Sequence, residues 1–287
     1  MSFLDAIKRE PVAKPEIVSD LNRYIIEYSK EQERHDGWIH LSQLGVCQRA
    51  LVFEVANAPM NIKGAGSIQL TFDVGTAVHE LVQGYFQRMG NLEGWYKCPN
   101  GHKEYGISLK ICKTCATIKC DICDKEHRDI PYKYNEAPIV STKYYLKGRA
   151  DGILLYPNTP GYERVILEIK TARRIPLELP ENYLNQVNLY MGLLKIHNTC
   201  FLYFDKINDK FQSFWVKFDE QKFIKQSQRI QQNKEVIDNY KANHILPHRE
   251  CNTFEDGNKC AFQRICFDEK VLEKWIGISS STIDNQG

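Results

Sequence analysis

Hydrophobic positions along the chain switch between helical and strand spacing. Between Glu16 and Glu33, Ile17, Leu21, Tyr24, Ile25 and Tyr28 recur with helical periodicity, which predicts an amphipathic first helix. Ser42 has the chemistry of an N-cap for a second helix carrying Cys47 and Arg49 to about Val55. Asn57 to Gly66, with Pro59, Gly64 and Gly66, reads as a loop. A further helix is expected from near Asp73, with Val78, Leu81, Val82, Tyr85 and Phe86 on one side and His79 and Glu80 in its first turns.

Lys143 to Tyr156 and Tyr162 to Thr171 read as strands, joined through Pro157-Asn158-Thr159-Pro160-Gly161 as a β-hairpin. Leu184 to Ile196 has helical spacing through Leu184, Val187, Tyr190 and Leu194. Thr199 to Phe204 and Lys210 to Phe218 read as two more strands, and Gln221 to Asn243 as a long polar helix. Pro247 to Phe267 reads as irregular, and Gly277 to Gly287 as a frayed tail. There is no internal repeat. The expected fold is α/β, a mixed central sheet flanked by helices. Residues 1–36 would form an N-terminal helix, 37–276 the main domain and 277–287 the tail.

The pattern breaks between Trp95 and Pro131, where apolar residues thin out and Cys, Lys, Gly and Asp dominate. This stretch, 95–131, reads as an inserted module too poor in apolar groups to hold a core unaided. Paired C-x2-C knuckles supply another means of holding it: Cys112 with Cys115, and Cys120 with Cys123. Cys98 and His102 precede them and His127 follows. Such spacing is a strong zinc signal, and there are more candidate ligands than one ion needs. Cys120 and Cys123 look most like a knuckle. The short gap from Cys115 to Cys120 favours Cys98 and His102 as partners of one of the two pairs.

Composition bounds the rest. The 287 residues suit one large domain with insertions or two small ones, and 43% hydrophobic residues can build a core. No apolar run approaches the ~20 residues of a membrane span, and charged residues interrupt the stretch from Met1 to Pro11, so the expected setting is cytoplasmic, without a signal peptide. A net charge of +2 identifies no partner by itself. Ten cysteines in such a setting point to metal before disulfides. Cys200, inside the apolar run to Phe204, is expected in the core.

The chemistry concentrates in Gly148-Arg149-Ala150-Asp151-Gly152 and Leu167-Glu168-Ile169-Lys170-Thr171. Residues i and i+2 of a strand share a face, so Glu168 and Lys170 point together while Ile169 turns into the core. Asp151, ending the preceding strand, can meet them across the hairpin. Two carboxylates with room for water form a hard-oxygen site for Mg²⁺ or Mn²⁺, and a lysine beside them can orient water and offset negative charge. A surface ion pair on a strand would also show these residues.

Gly75-x3-His79 on a helix, Asp151 on a strand, Glu168-x-Lys170 on the next, and Gln186-x3-Tyr190 on a following helix stand in a specific order. In this order the chain resembles the RecB-like branch of the PD-(D/E)XK nucleases, which includes the nuclease domains of RecB and AddB and the nucleases of CRISPR adaptation. The resemblance runs from about Leu41 to Phe267, outside the insertion, with Ala150 where the superfamily's name has proline. It implies a restriction-endonuclease-like core. His79, Asp151, Glu168 and the Ile169 carbonyl would be metal ligands, and Lys170 would position water. Gln186 and Tyr190 would shape the site or touch DNA, with Glu80 assisting behind the ligands. Members of the branch often carry a 4Fe–4S cluster held by one early and three late cysteines. Here Ser42 to Arg49 resembles the early motif and makes Cys47 the first, with Cys251, Cys260 and Cys266 as the late set. Cys260-x5-Cys266 fits the pattern, whereas Cys251-x8-Cys260 is longer than usual. Zinc also accepts four thiolates, so iron–sulfur is favoured over zinc or free thiols without excluding them.

The implied function is a metal-dependent DNA exonuclease acting on single-stranded or end-bearing DNA, in recombination, repair or spacer processing. Without a Gly-x4-Gly-Lys-Ser/Thr loop it would work with a helicase or recombination partner. The insertion lies outside the branch's minimal core and points to a phage or mobile-element setting. A non-catalytic DNA-binding subunit and a structure-specific endonuclease are the alternatives.

Overall fold

A computed structural model describes residues 17–32, 38–43, 46–60, 65–115, 130–136, 138–251 and 260–283. The chain divides into two compact units, one of residues 1–34 and 62–74, the other of 35–61 and 75–287. In the first unit, helix α1 (Ile17–Gln32) matches the amphipathic pattern. Residues 62–74 join it there, so this unit is more than the single helix expected over 1–36.

The second unit is built on a seven-stranded sheet. Its strands are β2 (Leu92–Lys97), β3 (Lys103–Ile107), β4 (Lys133–Asn135), β7 (Gly152–Leu155), β8 (Arg164–Ala172), β9 (Asn198–Asp205) and β10 (Lys210–Lys217). They run in the order β10-β9-β8-β7-β2-β3, with β4 also pairing β2. β8 and β9 are parallel and the remaining pairs antiparallel, giving the expected mixed sheet. A smaller sheet holds β1 (Ile39–His40), β6 (Leu146–Arg149) and β5 (Pro138–Ser141) in the order β1-β6-β5.

Side chains of β8 alternate between two apolar layers. Ile166 joins a cluster with α2 (Gln48–Val55), α4 (Glu181–Leu194) and α5 (Glu220–Asn243), contributed by Phe53, Val187, Tyr190 and Ile237. Val165, Leu167 and Ile169 join the other, with Val82 of helix α3 (Ala65–Met89) and Tyr96, Tyr132 and Tyr134. Leu, Ile, Val and aromatic residues at every second position thus bury both faces of a central strand. Cys200 is buried in the second layer, as expected.

Several expectations change. The run from Lys143 to Tyr156 is not one strand. A 3-10 turn (Thr142–Tyr144) leads into β6, and the chain leaves the small sheet at Ala150 and Asp151 to enter the large one at β7. Gly148 makes this geometry possible, because a Cβ there would lie 2.5 Å from Leu41 Cδ1. The hairpin itself forms, with Gly152 opposite Leu167. The early helix begins at Gln48 behind a 3-10 turn (Leu41–Gln43), and its N-cap is Cys47, whose sulfur accepts from the Ala50 amide, not Ser42. Helix α3 starts at Ala65, so His79 lies well inside it and not in its first turns.

The stretch 95–131 is less separate than expected. Trp95 to Lys97 belong to β2, which pairs directly with β7, and β3 extends the same sheet. The C-terminal end is more regular than expected. The described residues 247–251 and 260–262 are irregular as expected, but helix α6 (Gln263–Phe267) closes that segment and α7 (Glu269–Ile283) runs through the start of the expected tail at Gly277. Trp275 of α7 packs edge-on against Phe53 at 5.5 Å and stacks on Tyr240 at 6.0 Å, which fixes the helix to the core. Among the described residues no helix is long and apolar enough to cross a membrane.

Candidate active site

The hairpin register sets Asp151 beside the β8 backbone at Glu168 and Ile169. Asp151 Oδ2 accepts from the Ile169 amide at 2.6 Å. Within a strand the N–H and C=O of one residue point to the same side, so the Ile169 carbonyl faces this edge as well. Glu168 and Lys170 share a face as strand geometry requires, and Lys170 Nζ donates to Glu168 Oε1 at 2.7 Å. The ammonium also sits 4.7 Å from the Tyr183 ring centroid.

Glu168 is buried, and among the described residues its second oxygen, Oε2, has no hydrogen-bond partner. An orphaned carboxylate oxygen in such a place is costly unless something positive meets it. Burial, and after it the Asp151 charge, push the Glu168 carboxyl up to about 7 against the pull of Lys170. Burial disfavours the Lys170 ammonium, but the charge and hydrogen bond of Glu168 outweigh it and hold the lysine protonated.

His79 reaches the same place from α3, with Nδ1 3.2 Å from Asp151 Oδ1. Burial disfavours its imidazolium, yet the Asp151 hydrogen bond and charge overcome this and raise it above the usual histidine range. From α4, Gln186 Nε2 lies 3.5 Å from Glu168 Oε1 and donates to Tyr190 Oη at 2.9 Å. Their spacing of one helical turn puts both on the face toward β8. Burial raises the buried Tyr190 hydroxyl, which stays protonated. The structure thus gathers His79, Asp151, Glu168, Lys170, Gln186 and Tyr190. Glu80 pairs with Lys133 Nζ at 2.8 Å and lines the cleft beside this group.

Two residues here were not expected from the sequence. Glu136, between β4 and β5, groups with His79 and Asp151: one ligand atom from each lies within 4.8 Å of the others. Gln83 donates to Glu136 Oε1 at 3.0 Å and to the Asp151 carbonyl at 2.8 Å. Its place four residues after His79, on the same helix face, is the signal that could have found it. An open cleft beside the site is lined by His79, Asp151, Glu136, Lys97, Lys133 and Arg149 and reaches Cys98.

Cys98, His102, Cys112 and Cys115 converge. A tetrahedral zinc ion at ordinary bond lengths sets sulfurs about 3.8 Å apart, and sulfur and nitrogen about 3.6 Å apart. Cys98 and Cys115 sulfurs are 3.7 Å apart. His102 Nδ1 lies 3.5 Å from Cys98, 3.8 Å from Cys112 and 3.2 Å from Cys115. The donor set fits zinc in type and spacing, and it takes the first knuckle with Cys98 and His102. Cys120, Cys123 and His127 lie outside the described residues.

Cys47, Cys251, Cys260 and Cys266 line one pocket with Phe53, Arg249 and Phe262. None is in a disulfide. Burial pushes the Cys266 thiol up, while Arg49 and Arg249 pull it down. Four thiols around one pocket are a donor type that both an iron–sulfur cluster and zinc accept.

No family model and no curated protein matches the sequence. Among solved structures the chain is similar to the protein SSO0001 at 16% identity and a TM-score of 0.42, covering 88% of this chain and 97% of that one. It is also similar to LHK-Exo, an alkaline exonuclease from Laribacter hongkongensis, at 10% identity and a TM-score of 0.38, covering 79% and 100%. The same exonuclease in complex with dAMP gives 11% identity and a TM-score of 0.40, covering 73% and 94%. These likenesses are loose, and the chemistry of the site rests on its own residues.

Proposed function

We propose that this protein is a divalent-metal-dependent deoxyribonuclease with a RecB-like PD-(D/E)XK core, digesting single-stranded or end-bearing DNA from its ends. The observation that carries the reading is the buried Glu168 carboxylate, one oxygen held by Lys170 and the other unpartnered, beside Asp151 and His79. A structural ion pair would satisfy both oxygens; a cation-binding carboxylate keeps one for its ligand.

His79, Asp151, Glu168 and the Ile169 carbonyl would hold Mg²⁺ or Mn²⁺. The bound cation supplies Lewis acidity toward a phosphoryl oxygen and acidifies a water. Lys170 donates to the attacking water from its place on Glu168, and its charge offsets that developing on the phosphate. Gln186 and Tyr190 hold the Glu168 side of the site in register. Lys97, Lys133 and Arg149 along the cleft suit a phosphodiester backbone. Zinc on Cys98, His102, Cys112 and Cys115 would brace the cleft wall. A 4Fe–4S cluster on Cys47, Cys251, Cys260 and Cys266 would tie α2 to the C-terminal helices. Duplex DNA would need a helicase or a processed end, in recombination, repair or spacer processing.

The test compares linear and closed-circular single-stranded DNA, with Mg²⁺ or Mn²⁺. Metal-dependent loss of the linear substrate with the circle intact supports the exonuclease. Cutting of the circle makes the enzyme an endonuclease. Survival of both substrates refutes catalysis.

A further inference from the structure

Two glutamines on α3 join the candidate site to the zinc group. His79, Gln83 and Gln87 follow one another at four-residue steps, so they share one stripe of the helix. His79 meets Asp151. Gln83 is buried and spends its two amide hydrogens on the Asp151 carbonyl and on Glu136 Oε1. One turn further on, Gln87 spends both of its own on the Leu109 and Tyr132 carbonyls.

Those two carbonyls belong to the segments that carry the zinc group. The Cys112 amide donates to the Ile130 carbonyl at 3.0 Å and the Tyr132 amide to the Lys110 carbonyl at 2.9 Å, so residues 110–112 and 130–132 form a short ladder. Gln87 clamps this ladder across its two sides. Tyr132 runs straight into β4, whose Lys133 pairs with Lys97, the neighbour of Cys98. β4 in turn delivers Glu136 to Gln83. The result is a closed frame, with α3 on one side, residues 130–136 on the other, and Gln83 and Gln87 as the rungs. The zinc group fixes one end of this frame, and Asp151 hangs from the other.

We propose that Gln83 and Gln87 are positioning residues that pass zinc occupancy at Cys98, His102, Cys112 and Cys115 to Asp151, so that the zinc group governs the catalytic carboxylate as well as bracing the cleft wall. The inference rests on the zinc and nuclease readings above and adds regulation to them. Without the ion the frame loses its fixed end. The Leu109 and Tyr132 carbonyls then leave Gln87, and the Asp151 carboxylate loosens from the Ile169 amide. Loss of zinc would stop hydrolysis in a chain that keeps its main core. Coupling of this kind needs a contiguous set of contacts with two arrangements, and the two rungs supply it.

The test is hydrogen exchange at the Ile169 amide, whose acceptor is Asp151 Oδ2, followed by NMR on the full-length chain without DNA, Mg²⁺ or Mn²⁺. Exchange there should quicken about tenfold on removal of zinc, and about tenfold in zinc-loaded Gln87→Met, which keeps the length of the side chain and loses both hydrogens. Removing zinc from Gln87→Met should add little, because ion and side chain act in series. Gln87→Lys, which donates again, should restore slow exchange. Amides of the β9–β10 pair should keep their rates throughout, which a general loss of stability would not allow. Unchanged exchange at Ile169 in Gln87→Met or in zinc-free wild type, or an equal loss at β9–β10 in the folded variants, overturns the proposal. Should the zinc-free chain fail to fold, the two zinc-loaded Gln87 variants decide alone. Cleavage is scored separately. Coupling at Ile169 without metal-dependent hydrolysis would sink the nuclease reading and leave the link standing; hydrolysis by Gln87→Met at a wild-type kcat would do the reverse.

Discussion

Metal binding should depend on pH in a way fixed by Glu168. Its carboxyl, normally near 4.5, is pushed up to about 7 by burial and by Asp151. Coordination needs the ionised form. At pH 6 about a tenth of the molecules then carry the carboxylate, and at pH 8 about nine-tenths, so apparent metal affinity should rise about tenfold across that interval. His79 strengthens the trend, because its raised pKa makes it shed a proton on binding as well. The sign for stability runs the other way without metal. The folded state holds the Glu168 proton more tightly than the unfolded chain, so stability is fully present below pH 4.5 and falls as pH rises toward 7. The gap corresponds to about 3 kcal/mol. The assay is Mn²⁺ titration by calorimetry at half-unit steps from pH 6 to pH 8, beside thermal melts in buffer free of Mg²⁺ and Mn²⁺. A flat affinity over that range would refute the assignment of Glu168 as a buried carboxylate that must ionise to bind metal. Glu168→Gln should reduce the pH dependence of the melts and leave the part that His79 contributes.

Four further outcomes follow from the same geometry. Lys170→Ala should slow cleavage by about 10²–10³-fold while leaving DNA binding within a few-fold, as single-turnover rates and filter binding would reveal; a wild-type rate removes Lys170 from the chemistry. Cys112→Ser should lower the zinc content, measured by elemental analysis, by about one ion per chain and lower Tm, because Cys112 is buried among Tyr96, Tyr132 and Tyr134. Cys260→Ala should abolish stoichiometric iron and acid-labile sulfide and reduce Tm; a protein with four free thiols and no iron at wild-type stability would leave the pocket without a cluster. Gly192→Ala should destabilise by about 1–3 kcal/mol despite the better helix former, since its Cβ would lie 2.2 Å from the Phe223 ring. Phe223→Leu should relieve that penalty, and a rise in Tm on Gly192→Ala alone would contradict the α4–α5 packing.

The site was largely legible because its signals are local. Strand alternation put Glu168 and Lys170 together, the proline–glycine turn brought Asp151 across from them, and helical spacing aligned Gln186 with Tyr190. What stayed hidden is set by tertiary contacts. The break at Asp151 between two sheets depends on Leu41 filling the space over Gly148, far away in sequence. Glu136 belongs to no periodic element, and Gln83 and Arg149, distant in sequence from it or from one another, meet its two oxygens. The start of α3 at Ala65 was masked by Gly64 and Gly66, which read as loop residues. The serine-rich end of α7 read as tail, although Trp275 anchors the helix on Phe53 and Tyr240. Both C-x2-C pairs had the right local spacing. That Cys98 and His102 meet Cys112 and Cys115 depends on how β2 and the segment after β3 lie together, while Cys120 and Cys123 lie outside the described residues.

The most direct test of the account is single-turnover hydrolysis of end-labelled, linear single-stranded DNA by zinc-loaded protein, in Mg²⁺, in Mn²⁺ and without either, with Glu168→Ala alongside. The account predicts metal-dependent release of nucleotides by the wild type and none by the variant. Hydrolysis that survives in Glu168→Ala, or its absence in folded wild-type protein with both metals, would contradict it.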